Sequence, residues 1–282
     1  MDPKPFSVTV TKDEIDLPDF RSPPVDEVAL SLLFAPIPGF QIPHYGLYWN
    51  DIRADYPQSQ VQPPVPNLTE QAGTSIPRPI RFDLSLVNSP EVRCWFLDEH
   101  GEYLIQLQHD RFVVNWRKAK GEEIYPRYPA MRARLEKEWR RFRDFLTGQG
   151  LEAPKVNQCE VLYVNNIEYG KGWNGYGELD RVVATLATPK AKTQFLPAPE
   201  RAIMQVVYGL EDGVGRLYVS FQPVIRARDG VEVLQMTLNA RGAPKSPDDA
   251  GVLAWLDIGR KWVVNGFEDF TTNSMHEIWG KK

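Results

Sequence analysis

Cysteine, histidine and charge of one sign are all scarce in this 282-residue chain. The two cysteines, Cys94 and Cys159, each lie inside an apolar, strand-like run and form no CxxC pair. That spacing excludes a disulfide framework and a cysteine-based zinc site, so both read as small buried hydrophobes in a reducing, cytoplasmic compartment. The four histidines, His44, His100, His109 and His276, are scattered through a loop, two turns and a terminal helix, and no HExxH or HxH pair occurs. No serine or cysteine sits in a GxSxG elbow, and no GxxxxGK[ST] phosphate loop is present. No cofactor or metal motif is found. With 33 basic against 37 acidic residues, the formal charge of −4 excludes a chain-wide drive toward nucleic acid or anionic membrane. The N-terminal stretch is acidic and lacks the apolar run of a signal peptide. Residues 28–50 are uncharged and long enough to span a bilayer, but Pro36, Pro38, Gly39 and Pro43 break any helix there.

What is present is a soluble composition, 42 % apolar and 25 % charged, with an uneven distribution of proline. Fifteen of the 24 prolines fall within the first 90 residues, and residues 57–80 read as a proline-rich arm laid over the core or against a partner. Val25–Phe34 reads as a strand and residues 44–56 as a short helix closed by Pro57. Residues 92–97, 103–108 and 112–117 form a meander with turns at Asp98–Gly101 and His109–Arg111. Met131, Leu135, Trp139, Phe142 and Leu146 place one apolar stripe on a helix over 129–147, and Val156–Asn165 returns as a strand. Beyond the Gly-rich segment 170–177, strands are expected at 181–187, 203–208, 216–225 and 231–238, followed by helices over 247–270 and 274–279. The predicted class is α+β, with antiparallel sheets packed by helices and two α+β halves, 1–169 and 178–282.

Four features carry the candidate chemistry. The Gly-rich segment, with Lys171, Trp173 and Tyr176, reads as an exposed loop between the halves and a contact surface. The segment 117–143 carries +6, with ten basic and four acidic residues, and is the stretch suited to a nucleotide or nucleic acid. Glu136, four residues from both Arg132 and Arg140, also fits an ordinary solvated helix face. Polar residues within the strands, Gln106, Asn115, Arg117, Asn157, Glu160 and Asn165, need partners. Arg117 with Glu160 is the expected ion pair between adjacent strands, inside either a register-fixing network or a ligand pocket. The candidate ligand-binding set is therefore Gln106, Arg111, Asn115, Arg117, Arg127, Tyr128, Glu160, Lys171 and Trp173. In a nucleotide-binding reading Arg111, Arg117, Arg127 and Lys171 hold phosphates, and Trp116 or Tyr128 stacks on a base. The carboxylates Asp110, Glu160 and Asp180 are not grouped by their spacing as a nuclease metal site would require.

Several short segments together carry a resemblance: Pro23–Val28, Trp95–Phe96, Gln106–Phe112, Asn115–Arg117, Tyr125–Tyr128, Asn157–Glu160 and Tyr163–Asn165. Asp257–Arg260, Gly266–Phe267, Thr271–Thr272 and Met275–His276 with Trp279 complete the set. The chain resembles, over nearly its whole length, a sporadically distributed family of bacterial and archaeal proteins of similar size with no established activity. Patchy distribution implies carriage on mobile elements, hence a role in defence or toxin control. The expectation is a non-catalytic interaction or regulatory protein, homo-oligomeric with a dimer favoured, or one acting on a protein partner. The alternative is a sensor or enzyme for a nucleotide-like or nucleic-acid phosphate ligand. No membrane partner is expected.

Overall fold

The computed structural model describes residues 17–66, 92–186, 195 and 197–282. Among them are nine strands: β1 (Val25–Phe34), β2 (Gln58–Gln62), β3 (Arg93–Leu97), β4 (Tyr103–Gln108), β5 (Arg111–Arg117), β6 (Val156–Glu168), β7 (Met204–Gly209), β8 (Arg216–Ile225) and β9 (Glu232–Gly242). They form one antiparallel sheet in the order β2-β3-β4-β5-β1-β6-β9-β8-β7. The central β1 is buried on both faces from Val28 to Phe34, which matches its nearly unbroken apolar run. Strands from both halves of the chain share this sheet, because β6 pairs with β9 from Cys159↔Gly242 to Glu168↔Val233.

Four helices, α1 (Ile42–Ile52), α2 (Tyr128–Gly148), α3 (Asp249–Phe270) and α4 (Asn273–Trp279), accompany the sheet. The predicted stripe of α2 faces the sheet: Phe142 stacks on Phe112 at 5.2 Å between centroids, and Trp139 meets Phe34 at 5.8 Å. Such ring pairs add about 0.5–1.5 kcal/mol each beyond simple burial. Helix α3 covers β6, β9 and β8, and two glycines set its approach. A Cβ on Gly259 would lie 2.9 Å from Val161 Cγ2, and one on Gly266 would lie 2.7 Å from Leu217 Cδ2. Asp248 starts α3 by accepting the Gly251 N–H at 2.7 Å, an ordinary N-cap. The segment Asp19–Ser22 zips onto Trp279–Lys282 through backbone hydrogen bonds such as Arg21 N–H to Gly280 O, 3.0 Å, and Lys282 N–H to Asp19 O, 2.9 Å.

Most predicted strands lie where the alternation placed them, and the α+β class holds. Three expectations change. The strand expected at 181–187 is not found over its described residues, 181–186: a 3₁₀ helix spans Tyr176–Arg181 and only Val183 bridges, to Thr271. Its buried residues Leu179, Val182 and Val183 are spaced by three and four, a helical spacing. Part of the proline-rich arm, Gln58–Gln62, is the edge strand β2, while its residues from 67 onward lie outside the described ones. The 170–177 segment is not wholly an exposed loop, since Trp173 is 1 % and Tyr176 8 % exposed. The uncharged run 28–50 divides between β1 and α1, and among the described residues no helix is long and apolar enough to cross a membrane.

Candidate ligand cavity

Strand alternation sends two kinds of side chain from β6 in opposite directions. Cys159, Val161 and Tyr163 point to the helices, whereas Gln158 and Glu160 lie on the other face of the sheet. On that other face the polar residues form two bonded groups. Glu160 is 6 % exposed and stands between Arg241 at 3.4 Å and Arg111 at 4.0 Å, with Gln158 donating to it at 3.1 Å. The expected pair of Arg117 with Glu160 is absent because β1 lies between their strands. Arg117 instead donates to Gly101 O at 3.1 Å and covers the Trp95 ring at 5.4 Å. Asn115 donates to Glu27 at 2.5 Å and accepts from Gln106 at 2.8 Å, and Gln106 accepts from Trp95 at 2.9 Å. Burial raises the carboxyl pKa of Glu27, against the opposing pull of Asn115 and Arg117. These residues pair mainly with one another across neighbouring strands, an arrangement that fixes register.

The helix-side face of β6 builds something different. Beside Tyr163 and Asn165, where α3 and the segment 17–25 diverge from the sheet, lies a cavity of about 380 Å³, within the 300–1,000 Å³ typical of small-molecule sites. Its walls are mainly apolar, including Phe20, Val25, Leu238, Val263 and Phe267. A register shift in the β1–β6 pairing between Val25 and Glu27 borders it, and irregularities of this kind commonly adjoin sites. Polar groups converge on one part of the wall. The hydroxyls of Tyr125 and Tyr163 are 2.7 Å apart. Burial holds both phenols above their usual pKa, with Tyr163 as a further cause for Tyr125. Both therefore keep their protons, and a pair that shares one hydrogen bond has a second O–H free to donate.

Two arginines complete this end. Arg260, on α3, stacks on the Tyr128 ring at 4.9 Å, and its buried Nε has no hydrogen-bond partner. Tyr128 is fixed behind it by donating to Asp257 at 2.7 Å, and Asp257 also receives Arg132 at 2.9 Å. Arg127 lies at the rim, donating to Asp19 at 3.0 Å and to Phe20 O at 2.9 Å, with Lys282 on the same Asp19 at 2.6 Å. Its backbone takes φ 68°, ψ 159°, a conformation almost confined to glycine and costing on the order of 1–3 kcal/mol. Strain of that size persists only where the surrounding fold enforces it.

The nine predicted site residues therefore separate into three places. Arg127 lines the cavity and Tyr128 supports its wall. Gln106, Arg111, Asn115, Arg117 and Glu160 lie among the polar residues on the far face. Lys171 and Trp173 sit at the end of β6, Lys171 paired with Glu168 at 2.6 Å and the Trp173 indole donating to Glu168 O at 3.0 Å. Trp173 is clasped between Tyr169 and Tyr176, so it is core and not a contact surface. The arrangement proposed for a nucleotide is not assembled: Trp116 and Tyr128 are 0 % and 1 % exposed, which leaves neither ring free for a base. The basic segment is similarly occupied. Arg127, Arg132, Lys137, Arg140, Arg141 and Arg143 each have a carboxylate within 4.0 Å, which fits the solvated-face alternative. Sequence reasoning missed Tyr125, Tyr163 and Arg260 as a constellation. They come from three distant segments, and no spacing announces it.

Among the described residues no group of three or more His, Cys, Asp or Glu side chains is placed to hold a metal ion. No family model matches the chain, and no curated protein or solved structure is significantly similar to it, so the cavity is interpreted from its own chemistry.

Proposed function

We propose that the chain is a non-catalytic, cytoplasmic binding protein that senses a small, mostly apolar molecule bearing one acid group. The observation that carries this reading is a largely apolar cavity with Arg260, Arg127 and two protonated tyrosines gathered at one part of its wall. An anionic oxygen there would receive a guanidinium N–H of Arg260 and a phenol O–H, while the apolar body fills the space against Phe20, Leu238 and Val263. Charge-assisted hydrogen bonds of this type are worth about 1.5–3 kcal/mol each. Asp19 is shared by Arg127 and Lys282, so with Arg260 this end holds three cations against one carboxylate, a surplus suited to a single acid group and not to a polyphosphate. A regulatory role in a mobile-element or defence setting, carried out with a protein partner, is the part of the proposal that rests on the family resemblance.

The test is native mass spectrometry on protein purified gently from its own host, followed by calorimetric titration with aryl and alkyl carboxylates such as benzoate and octanoate. The expected result is a small mass increment lost on denaturation, with Arg260→Met weakening carboxylate binding about 10- to 150-fold at unchanged melting temperature. A second variant, Val264→Trp, fills the cavity from α3 and should abolish binding. Full-strength binding by both folded variants would overturn the assignment.

A further inference from the structure

We propose that the β7 edge of the sheet is a self-pairing surface, on which a second copy of this chain adds its own β7 antiparallel to the first. The inference is independent of the cavity. The two edges of the sheet are treated differently by the sequence. At one end β2, Gln58–Gln62, is short, carries three glutamines and is bracketed by Pro57 on one side and Pro63 and Pro64 on the other. Proline beside a short edge strand is a common device against pairing. At the other end β7 has no such device. From Ala202 to Leu210 the chain contains neither a charged residue nor a proline. Ile203 is 66 %, Val207 38 % and Tyr208 38 % exposed, and Gln205 and Gly209 are also exposed. An uncharged, apolar, unblunted edge presents unpaired backbone donors and acceptors to any matching strand.

The strand is also complementary to itself. In an antiparallel sheet a two-fold axis between identical strands stands perpendicular to the sheet, so each side chain faces a residue on the same side of the sheet. With the axis at Val207, that valine faces its own copy, Val206 faces Tyr208, and Met204 faces Leu210. The same reversal brings Arg201, just before β7, toward the turn that carries Glu211, just after it, at both ends of the pairing, where long side chains of opposite charge attract. Both charged residues are exposed, and each lies just outside the uncharged run, so the apolar centre and charged ends match when one strand is reversed against the other. The product would be a continuous sheet with nine strands from each copy, both helical layers on the same side. A contact restricted to one strand and its flanks is small, which places the dimer in the weak, micromolar class.

Sedimentation equilibrium on the full chain tests this directly. Wild type should show a reversible monomer–dimer equilibrium in the micromolar range. Val207→Lys, which sets two ammonium groups against each other at the axis, should raise the dimer dissociation constant at least tenfold with unchanged circular dichroism and melting temperature. Arg201→Glu and Glu211→Arg should each weaken the dimer, and the double reversal should restore it. A strictly monomeric wild type would overturn the proposal and leave the edge for a different chain. A dimer indifferent to Val207→Lys and to the charge reversals would place the interface elsewhere and overturn it equally.

Discussion

Arg127 combines two properties that rarely coincide, a backbone conformation suited to glycine and a side chain engaged in three directions. Its guanidinium reaches Asp19 and the Phe20 carbonyl and lies 5.4 Å from the Tyr125 ring. The strain is accordingly the cost of presenting a charge at the cavity rim. Arg127→Gly relieves the backbone and removes a half-exposed ion pair, which contributes about 0–1 kcal/mol. Stability measured by urea denaturation should therefore rise by about 1 kcal/mol, while binding of a carboxylate probe weakens. A variant that is less stable than wild type would show that the side-chain contacts outweigh the strain. Arg260 is the complementary case: its stacking on Tyr128 fixes the guanidinium in the cavity wall, and its buried Nε has no hydrogen-bond partner.

At the scale of elements, the clasp between Asp19–Ser22 and α4 closes the cavity wall that contains Phe20. Behind that wall His276 is 4 % exposed and lies 5.4 Å from the Phe20 ring. Thr271 donates its hydroxyl to Phe267 O at 2.6 Å, so the 2.8 Å contact with His276 assigns the ring proton to Nε2. Nδ1 is then bare, buried and without a partner. Burial and the nearby Lys281 lower the imidazole pKa, with Glu268 opposing. A depressed folded-state pKa means that the neutral ring stabilises the clasp above the unfolded value of about 6.5, and that this stabilisation is lost as pH falls below it. Melting temperature should therefore decline on acidification from pH 7 to about 5, and His276→Phe should flatten that part of the profile. An identical slope in the variant would assign the acid sensitivity to other groups.

At the scale of the whole molecule, the nine strands among the described residues carry α2 and α3 on one face, and protection should follow position in the sheet. The central strands β1, β6 and β9 are hydrogen-bonded on both sides and covered by α2 or α3. The edges β2 and β7 pair on one side only. Amide hydrogen exchange should therefore be slowest in β1, β6 and β9 and fastest in β2. In β7 it should slow as protein concentration rises, if that edge pairs with a second copy. Exchange in β7 that is fast and independent of concentration would separate a free edge from a paired one.

Local periodicity alone determined much of this protein. Apolar runs and the turn residues that bound them placed β1, β4, β5 and β8 almost to the residue, and the stripe from Met131 to Leu146 defined α2, because burial of one helix face repeats at a fixed spacing. The polar residues within strands were also legible as groups in need of partners. Which partners they took was not, because strand order decides contact: β1 inserted between β5 and β6 separated Arg117 from Glu160 and gave Glu160 to Arg111 and Arg241. The burial of Trp173 depended on its neighbours Tyr169 and Tyr176 closing around it, and residues 181–186 lost their strand to a helical spacing of three and four. The cavity lies furthest from the sequence. Tyr125, Tyr163 and Arg260 come from a loop, a strand and a helix, and only the packing of α3 on the sheet sets two phenols 2.7 Å apart with an unpartnered guanidinium nitrogen in the same wall. Periodicity reports which face of an element is buried, and it carries no information about which distant element is buried against it.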